Sequence, residues 1–429
     1  MGAMRKIAHR FRQREQGQTL LMFVLMLVVM IGFVGLGVDL GFAYISRARL
    51  SKAVDSACLN GMRNFWQGTT NASMIASNTF AMNYGTCGRD VAPPTVTINF
   101  SKDSNNNTVL NVQATVAINT FFIGVMPAIG GISWKTLTVG ESAQSTRTKV
   151  ILALVLDRSG SMDPITGTTK GGAALPGAVS TFVSFFSDTI DEASMASFAS
   201  TATQDIPMEQ PFIADISTAA DNLNWGGGTY SVGGLADAFA QENSVIVPAN
   251  EVALKVVVFF TDGRANMIQQ QLSCGQIFNF GGYDISGSGA AFFPTNTSLR
   301  AQGTAECTAP EDGSMGSGCG CNVSTYTSPQ NGNPEKFETD GIIADSQYEC
   351  EQLALQMQNQ NILVYSIGLG GDKNDPVNSA FLAQVANATN SATYNPKLPT
   401  GLALVASDPS QLQPYFTQIA NDILFRLTQ

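Results

Sequence analysis

The stretch KVILALVLDRSGSMD runs from Lys149 to Asp163. Its apolar block, Val150–Leu156, has no polar side chain to turn outward, so it reads as a strand buried on both faces. The block stops on Asp157, and Ser159 and Ser161 follow at two-residue steps. A polar turn at the end of a strand accounts for these residues. So do three oxygen ligands directed at one cation.

Downstream of this strand the pattern alternates. LPGAVSTFVSFFSDTI (175–190) has helical spacing, and EASMASFAS (192–200) and TQDIPMEQPF (203–212) read as strands. ISTAADNLN (216–224) and YSVGGLADAFAQEN (230–243) return to helical spacing before a second buried strand, ALKVVVFFTDG (253–263). A helix at 345–361, a strand at 362–370 and closing helices at 378–387 and 409–427 complete the series. Strands apolar on both faces and separated by helices predict an α/β fold with a doubly wound, mostly parallel sheet over residues 148–429. In such sheets ligands bind beyond the carboxyl ends of the strands.

One segment breaks the alternation. Residues 265–344 show little periodicity, are rich in Gly, Ser, Asn and Thr, and contain Cys274, Cys307, Cys319 and Cys321. A structureless loop of that length is improbable inside a domain, so the expectation is a disulfide-stapled insertion entering directly after the strand that ends in Asp262.

Three loops in this scheme carry hard oxygen donors at strand ends or helix starts. DRSGSM offers Asp157, Ser159 and Ser161, WGGGTYS offers Thr229, and FFTDGR offers Asp262. Mg²⁺ takes about six such ligands at roughly 2.0–2.1 Å and keeps some as water. Two carboxylates and three hydroxyls would leave a coordination position for a group from outside. With so few protein carboxylates, the metal could attract an acidic side chain of a partner.

The amino-terminal third reads differently. TLLMFVLMLVVMIGFVGLGV, Thr19–Val38, is free of charge, and at about 1.5 Å per residue it spans a hydrocarbon core of about 30 Å. It is longer than the core of a signal peptide, and no Ala-x-Ala cleavage site follows it. Residues 1–16 carry Arg5, Lys6, Arg10, Arg12 and Arg14 against Glu15 alone, a net +4, which leaves about −14 of the total −10 to the remainder. The positive-inside rule then puts the amino terminus in the cytoplasm and the body of the chain outside. An acidic body does not suit nucleic acid, which needs a basic surface.

Beyond Asp39 the pattern stays mostly helical to about Met82. Leu50, Ala53, Val54, Ala57 and Cys58 form an apolar series that extends the membrane helix as an amphipathic one. Pro93-Pro94 ends it. TVTINF, TVLNVQATVAIN and ISWKTLTVG then alternate with period two and predict a small antiparallel sheet within residues 84–147. The expected organisation is a basic head (1–16), a membrane helix with its extension (17–83), the small β-rich unit (84–147) and the α/β domain (148–429). In an oxidising compartment the seven cysteines, Cys58, Cys87, Cys274, Cys307, Cys319, Cys321 and Cys350, are disulfide candidates, and their odd number leaves at least one thiol free or paired between chains. The single histidine, His9, lies in the basic head, and Cys319-Gly-Cys321 lacks a zinc-site spacing. No nucleophile–base pair and no phosphate loop are evident, so no enzyme is expected.

The D-x-S-x-S turn with its distant Thr and Asp resembles the metal-ion-dependent adhesion site of von Willebrand factor A domains, over residues 149–429. The resemblance implies a Rossmann-like fold with Asp157, Ser159, Ser161, Thr229 and Asp262 as metal ligands. The hydroxyls would mostly bind directly and the aspartates often through water. It also implies Mg²⁺, or Mn²⁺ or Ca²⁺, as the cofactor, completed by a carboxylate of a protein or surface ligand. Tyr230 stands where that family often has Asn. Residues 12–63, with Gly17-Gln18, Asp39-Leu40-Gly41 and RLSKAVDSACLNG, resemble the head of TadE/TadG-type proteins of the tight-adherence (Tad, or Flp) pilus system. This implies a single-pass protein of a bacterial inner membrane that acts in pilus assembly or adhesion with pilin or pilus-assembly partners, as a minor pilin or tip-like adhesin. An envelope assembly or docking factor is the alternative. Pilin precursors are commonly cut after a glycine, with Glu at the fifth mature position. Counted from Gln18, that position here is Met22.

Overall fold

Apolar residues from Thr19 onward carry one helix through the sequence without a break, α1 (Gly2–Arg63), in a computed structural model of the chain. The structure describes residues 2–85, 89–104, 107–125, 135–249, 251–282, 290–294, 307–309, 323–371 and 376–427. The chain forms two compact units, 1–103 with 108–146, and 147–429 with 104–107.

In the first unit the helical pattern does not run on to Met82 as one helix. After α1, Gly68 adopts φ +87°, a left-handed conformation that glycine takes without steric cost, and the chain turns into α2 (Thr69–Tyr84). The antiparallel sheet follows as β1 (Thr95–Lys102), β2 (Thr108–Asn119) and β3 (Thr136–Arg147), in the order β1-β2-β3. Trp134 and its neighbours, the start of the third predicted strand, lie outside the described residues. The period-two residues Val112, Ala114, Val116 and Ile118 of β2 all face inward, where they meet Leu50, Ala53, Val54, Ala57 and Cys58 of α1 and Phe80 of α2. The amphipathic stripe of α1 therefore belongs to the core of its own unit.

The second unit opens with β4 (Lys149–Asp157), every residue of which after Lys149 is buried. Next come α3 (Leu175–Val183), β5 (Glu192–Phe198), β6 (Ala202–Glu209), α4 (Ile213–Asp221), α5 (Ser231–Ser244) and β7 (Ala253–Thr261). The strands β8 (Met267–Gln271), β9 (Ile277–Gly282), β10 (Ala290–Pro294), β11 (Cys307–Ala309), β12 (Thr325–Thr327) and β13 (Pro334–Lys336) precede α6 (Thr339–Asn359). The chain closes with β14 (Leu363–Leu369), α7 (Ser379–Val385), β15 (Ala403–Ala406) and α8 (Leu412–Arg426).

Six of these strands form one sheet in the order β15-β14-β7-β4-β5-β6. All neighbours are parallel except β6, which runs antiparallel to β5. One face is covered by Leu235 of α5, Cys350, Ala354 and Met357 of α6, and Phe381 and Leu382 of α7. On α8, Phe416 packs against Phe260 of β7 and Phe182 of α3. From β4 the chain goes to β5 on one side and then to β7 on the other, a reversal of strand order beside whose carboxyl ends sheets of this kind bind ligands.

The insertion has structure of its own. Strands β8 to β11 make a four-stranded antiparallel sheet and β12 with β13 a hairpin. Phe280, Tyr326 and Phe337 pack edge-to-face or tilted at centroid distances of 5.0, 5.2 and 5.5 Å within a core that also holds Ile268, Leu272 and Ile342. A few large residues from distant positions build this core, which is why no local periodicity announces it.

The cysteines correct one expectation. Cys58 and Cys350 are both free and buried. Cys58 Sγ lies 3.3 Å from the Leu110 carbonyl oxygen, to which it donates, and Cys350 sits under the sheet among Ala354 and Phe381. Each is walled in by apolar side chains of its own core, and burial pushes the Cys58 thiol up to about 11. Cys274 is disulfide-bonded. The side chains of Cys87, Cys307, Cys319 and Cys321 lie outside the described residues.

Candidate metal centre

Strand register sets the site. Leu156 of β4 pairs with Phe260 of β7, so the next residues, Asp157 on one strand and Thr261-Asp262 on the other, emerge side by side. Asp157 is fully buried. Its Oδ1 accepts the Ser159 N–H at 2.8 Å, which closes the turn, and its Oδ2 accepts the Thr261 hydroxyl at 2.6 Å.

The turn brings both serines onto Asp262. Ser161 Oγ donates to Asp262 Oδ1 at 2.7 Å, Ser159 Oγ lies 3.3 Å from the same oxygen, and the two hydroxyls are 3.1 Å apart. The second oxygen of Asp262 accepts from the Thr169 hydroxyl, whose oxygen lies 3.0 Å from the Ser161 carbonyl oxygen, and the Thr169 N–H donates to that carbonyl at 3.1 Å. Asp157, Ser159, Ser161 and Asp262 thus form one connected cluster of oxygens.

Thr229 is brought to the same strand ends by its loop. The Gly160 N–H donates to the Gly227 carbonyl at 3.0 Å, which lays the 225–229 loop on the turn after β4. Asn266 then fixes Thr229 from both sides: its Oδ1 accepts the Thr229 N–H at 2.8 Å, and its own N–H donates to the Thr229 carbonyl at 3.1 Å. The Thr229 side chain is buried and makes no hydrogen bond to the other four residues.

Electrostatically the cluster is short of positive charge. Burial and the neighbouring Asp157 push the Asp262 carboxyl up to about 7, and burial also raises Asp157. Neither carboxylate has an ion-pair partner among the described residues; the buried Arg158 guanidinium, which feels the Asp157 charge, donates to Ser197 Oγ at 3.1 Å and the Asn224 carbonyl at 3.3 Å. Two desolvated carboxylates ringed by hydroxyls form an oxygen-only donor set, the kind a hard divalent cation accepts. Among the described residues no three His, Cys, Asp or Glu side chains gather at one place.

Sequence reasoning missed Thr169, Thr261 and Asn266. Thr261 precedes Asp262 in a buried strand, where a lone polar residue is itself a signal. Thr169 and Asn266 lie in loops with no pattern of their own and are found only through the fold.

Residues 17–64 match the family of Flp pilus-assembly TadE/G-like proteins. No curated protein matches the chain. Among solved structures, a minor pilin, PilB from Streptococcus sanguinis, is 14% identical, with 78% of this chain and 79% of that one covered at a TM-score of 0.40. The von Willebrand factor domain of the type V pili tip protein Mfa5 from Porphyromonas gingivalis is 12% identical, with coverage of 66% and 97% and a TM-score of 0.39. Proximal thread matrix protein 1 of the mussel byssus is 14% identical at a TM-score of 0.35. That match covers 65% of this chain, which spans under half (46%) of the byssus protein.

Proposed function

We propose that the chain is a membrane-anchored protein of a Tad pilus system whose outer domain, of von Willebrand factor A type and doubly wound, binds a protein or surface ligand through a divalent metal. The match of residues 17–64 to a pilus-assembly family supports the pilus association. The observation that carries the binding reading is the convergence of Ser159, Ser161 and Asp262 at 2.7–3.3 Å beside the buried Asp157. Asp157, Ser159, Ser161, Thr229 and Asp262 would hold Mg²⁺, or Mn²⁺ or Ca²⁺ in its place. The metal would supply a Lewis-acid position for a carboxylate of the ligand.

In this reading the protein binds and does not catalyse. The helix Thr19–Val38 anchors it in the inner membrane, with the basic head in the cytoplasm and the α/β domain outside. The 265–344 insertion, which enters directly after Asp262, shapes the rim that selects the ligand. A filament subunit would be recovered in sheared pili, whereas a docking factor would stay with the inner membrane.

The metal is tested by thermal unfolding of the purified full chain in detergent, with and without Mg²⁺ or Mn²⁺. The unsubstituted protein is expected to gain stability with metal, by about 2.7 kcal/mol at a concentration 100 times its Kd. Asp157→Ala with Asp262→Ala should abolish that gain. A double variant that still responds like the parent would place the metal elsewhere.

A further inference from the structure

The carboxylate of Asp39 is 2% exposed and accepts three consecutive backbone N–H groups, those of Phe121, Phe122 and Ile123, at 2.8, 2.9 and 2.9 Å. It thereby draws the turn after β2 onto α1 at the outer end of the apolar run. Phe122 packs on Gly35 so closely that a Cβ at position 35 would lie 2.5 Å from its Cβ and Cγ. Gly35 is three residues inside Val38, which puts this contact about 4.5 Å within the span. Phe122 also lines a groove with Met30, Ile31 and Val34 of the same helix.

The two phenylalanines are nonetheless open, 59% and 45% exposed, and they continue the apolar outer surface of α1, where Phe33 and Val34 are barer still. A non-helical turn at this depth would be ruled out if its N–H groups had no partner, since each unsatisfied group in hydrocarbon costs several kcal/mol. Asp39 satisfies all three, and the turn in return gives a carboxylate at the membrane boundary its hydrogen bonds. On the side away from Gly35 the Arg89 guanidinium lies 3.5 and 4.0 Å over the rings of Phe42 and Phe121.

We propose that the Phe121–Ile123 turn is a second membrane-inserted element, docked on α1 by Asp39, with lipid acyl chains covering Phe121 and Phe122. The inference rests on Thr19–Val38 being the membrane span. It gives the anchor two contacts with the outer leaflet, which restricts rotation of the helix about its axis.

The test uses the full chain in lipid nanodiscs holding one copy each, with acyl chains brominated near the headgroup to probe the turn and near the chain ends to probe the middle of the span. Tryptophan emission is read as the difference between a variant and the unsubstituted chain. Met26→Trp reports on the span and Phe122→Trp on the turn. Bromine should quench the added emission of both by roughly twofold or more, and aqueous iodide should quench neither. Quenching of Met26→Trp without Phe122→Trp overturns the proposal and leaves the span intact, whereas loss of both overturns the span as well. Adding Asp39→Asn should release the turn, so that Phe122→Trp loses most of its bromine quenching while Met26→Trp keeps it. No change would overturn the docking by Asp39. An indole of Phe122→Trp that is open to iodide in single-copy discs and shielded only when two copies share a disc would assign the surface to a second copy, against the proposal. Hydrogen exchange on the unsubstituted chain gives a readout free of folding defects: the amides of Phe121, Phe122 and Ile123 should exchange slowly, and fast exchange would overturn the proposal.

Discussion

The two ends of β4 bury carboxylates in opposite ways. At the amino end, Asp191 and Arg147 are each 1% exposed and form a two-pronged ion pair at 2.6 and 3.1 Å. Asp191 also accepts the N–H groups of Val150 and Ser187 at 2.9 and 2.8 Å. That end is electrically complete. At the carboxyl end, Asp157 and Asp262 are equally buried, but they face hydroxyls and each other. One strand thus carries a closed structural charge pair and an open one, and the open one lies where sheets of this topology bind ligands.

The largest expected effect breaks the closed end. Arg147→Met leaves Asp191 buried without its cation, and removal of one partner of such a pair costs about 3–5 kcal/mol. Denaturant unfolding of the full chain should show this loss, and the further change Asp191→Asn should recover part of it, because the neutral amide removes the unpaired charge while its oxygen still accepts one of the two N–H groups. A small effect of Arg147→Met alone would mean that water reaches Asp191 and that the two ends differ less than their geometry indicates.

The next effect has the opposite sign. Asp262→Asn removes one of two carboxylates that repel each other in a desolvated site. Without metal it should therefore stabilise the chain by about 1–2 kcal/mol, while abolishing the gain on adding Mg²⁺. Destabilisation by Asp262→Asn in metal-free buffer would show that the hydroxyl network, and not charge repulsion, dominates the open end.

The open end was more legible in the sequence than the closed one. Asp157, Ser159 and Ser161 stand out because they interrupt a buried strand at fixed short spacing, and Asp262 because it ends a second one. Arg147 and Asp191 belong to no motif, since their pairing depends on which strands become neighbours. The parallel core was legible through its continuous apolar runs. β15, only four residues long, was not, and neither was the insertion's sheet, whose core rests on Phe280, Tyr326 and Phe337 from separate strands and loops. The turn between α1 and α2 at Gly68 carried a breaker signal of its own, a glycine among the weak helix formers Phe65, Trp66, Thr69, Thr70 and Asn71, that the apolar spacing on either side overrode. Cys58 and Cys350 were misread because a buried free cysteine leaves the same letter in the sequence as a paired one, and only the packing around it tells them apart.

The smallest effect tests how far the open end is prepared for a cation. Thr169 approaches from a loop that folds back over the turn, its N–H donating to the Ser161 carbonyl and its hydroxyl to Asp262 Oδ2. It is therefore placed to orient two of the proposed ligands without being one itself. Thr169→Val keeps the shape and removes the hydroxyl. The metal-free fold should lose only about 1 kcal/mol, the net worth of an ordinary hydrogen bond. Supporting groups of this kind are worth about 10- to 100-fold in metal affinity, so a Mn²⁺ titration followed by thermal shift should show weaker binding out of proportion to the stability change. Equal losses in stability and affinity would make Thr169 a packing residue. An affinity loss alone would show that the open end of β4 is held in a cation-ready arrangement by residues that never touch the cation.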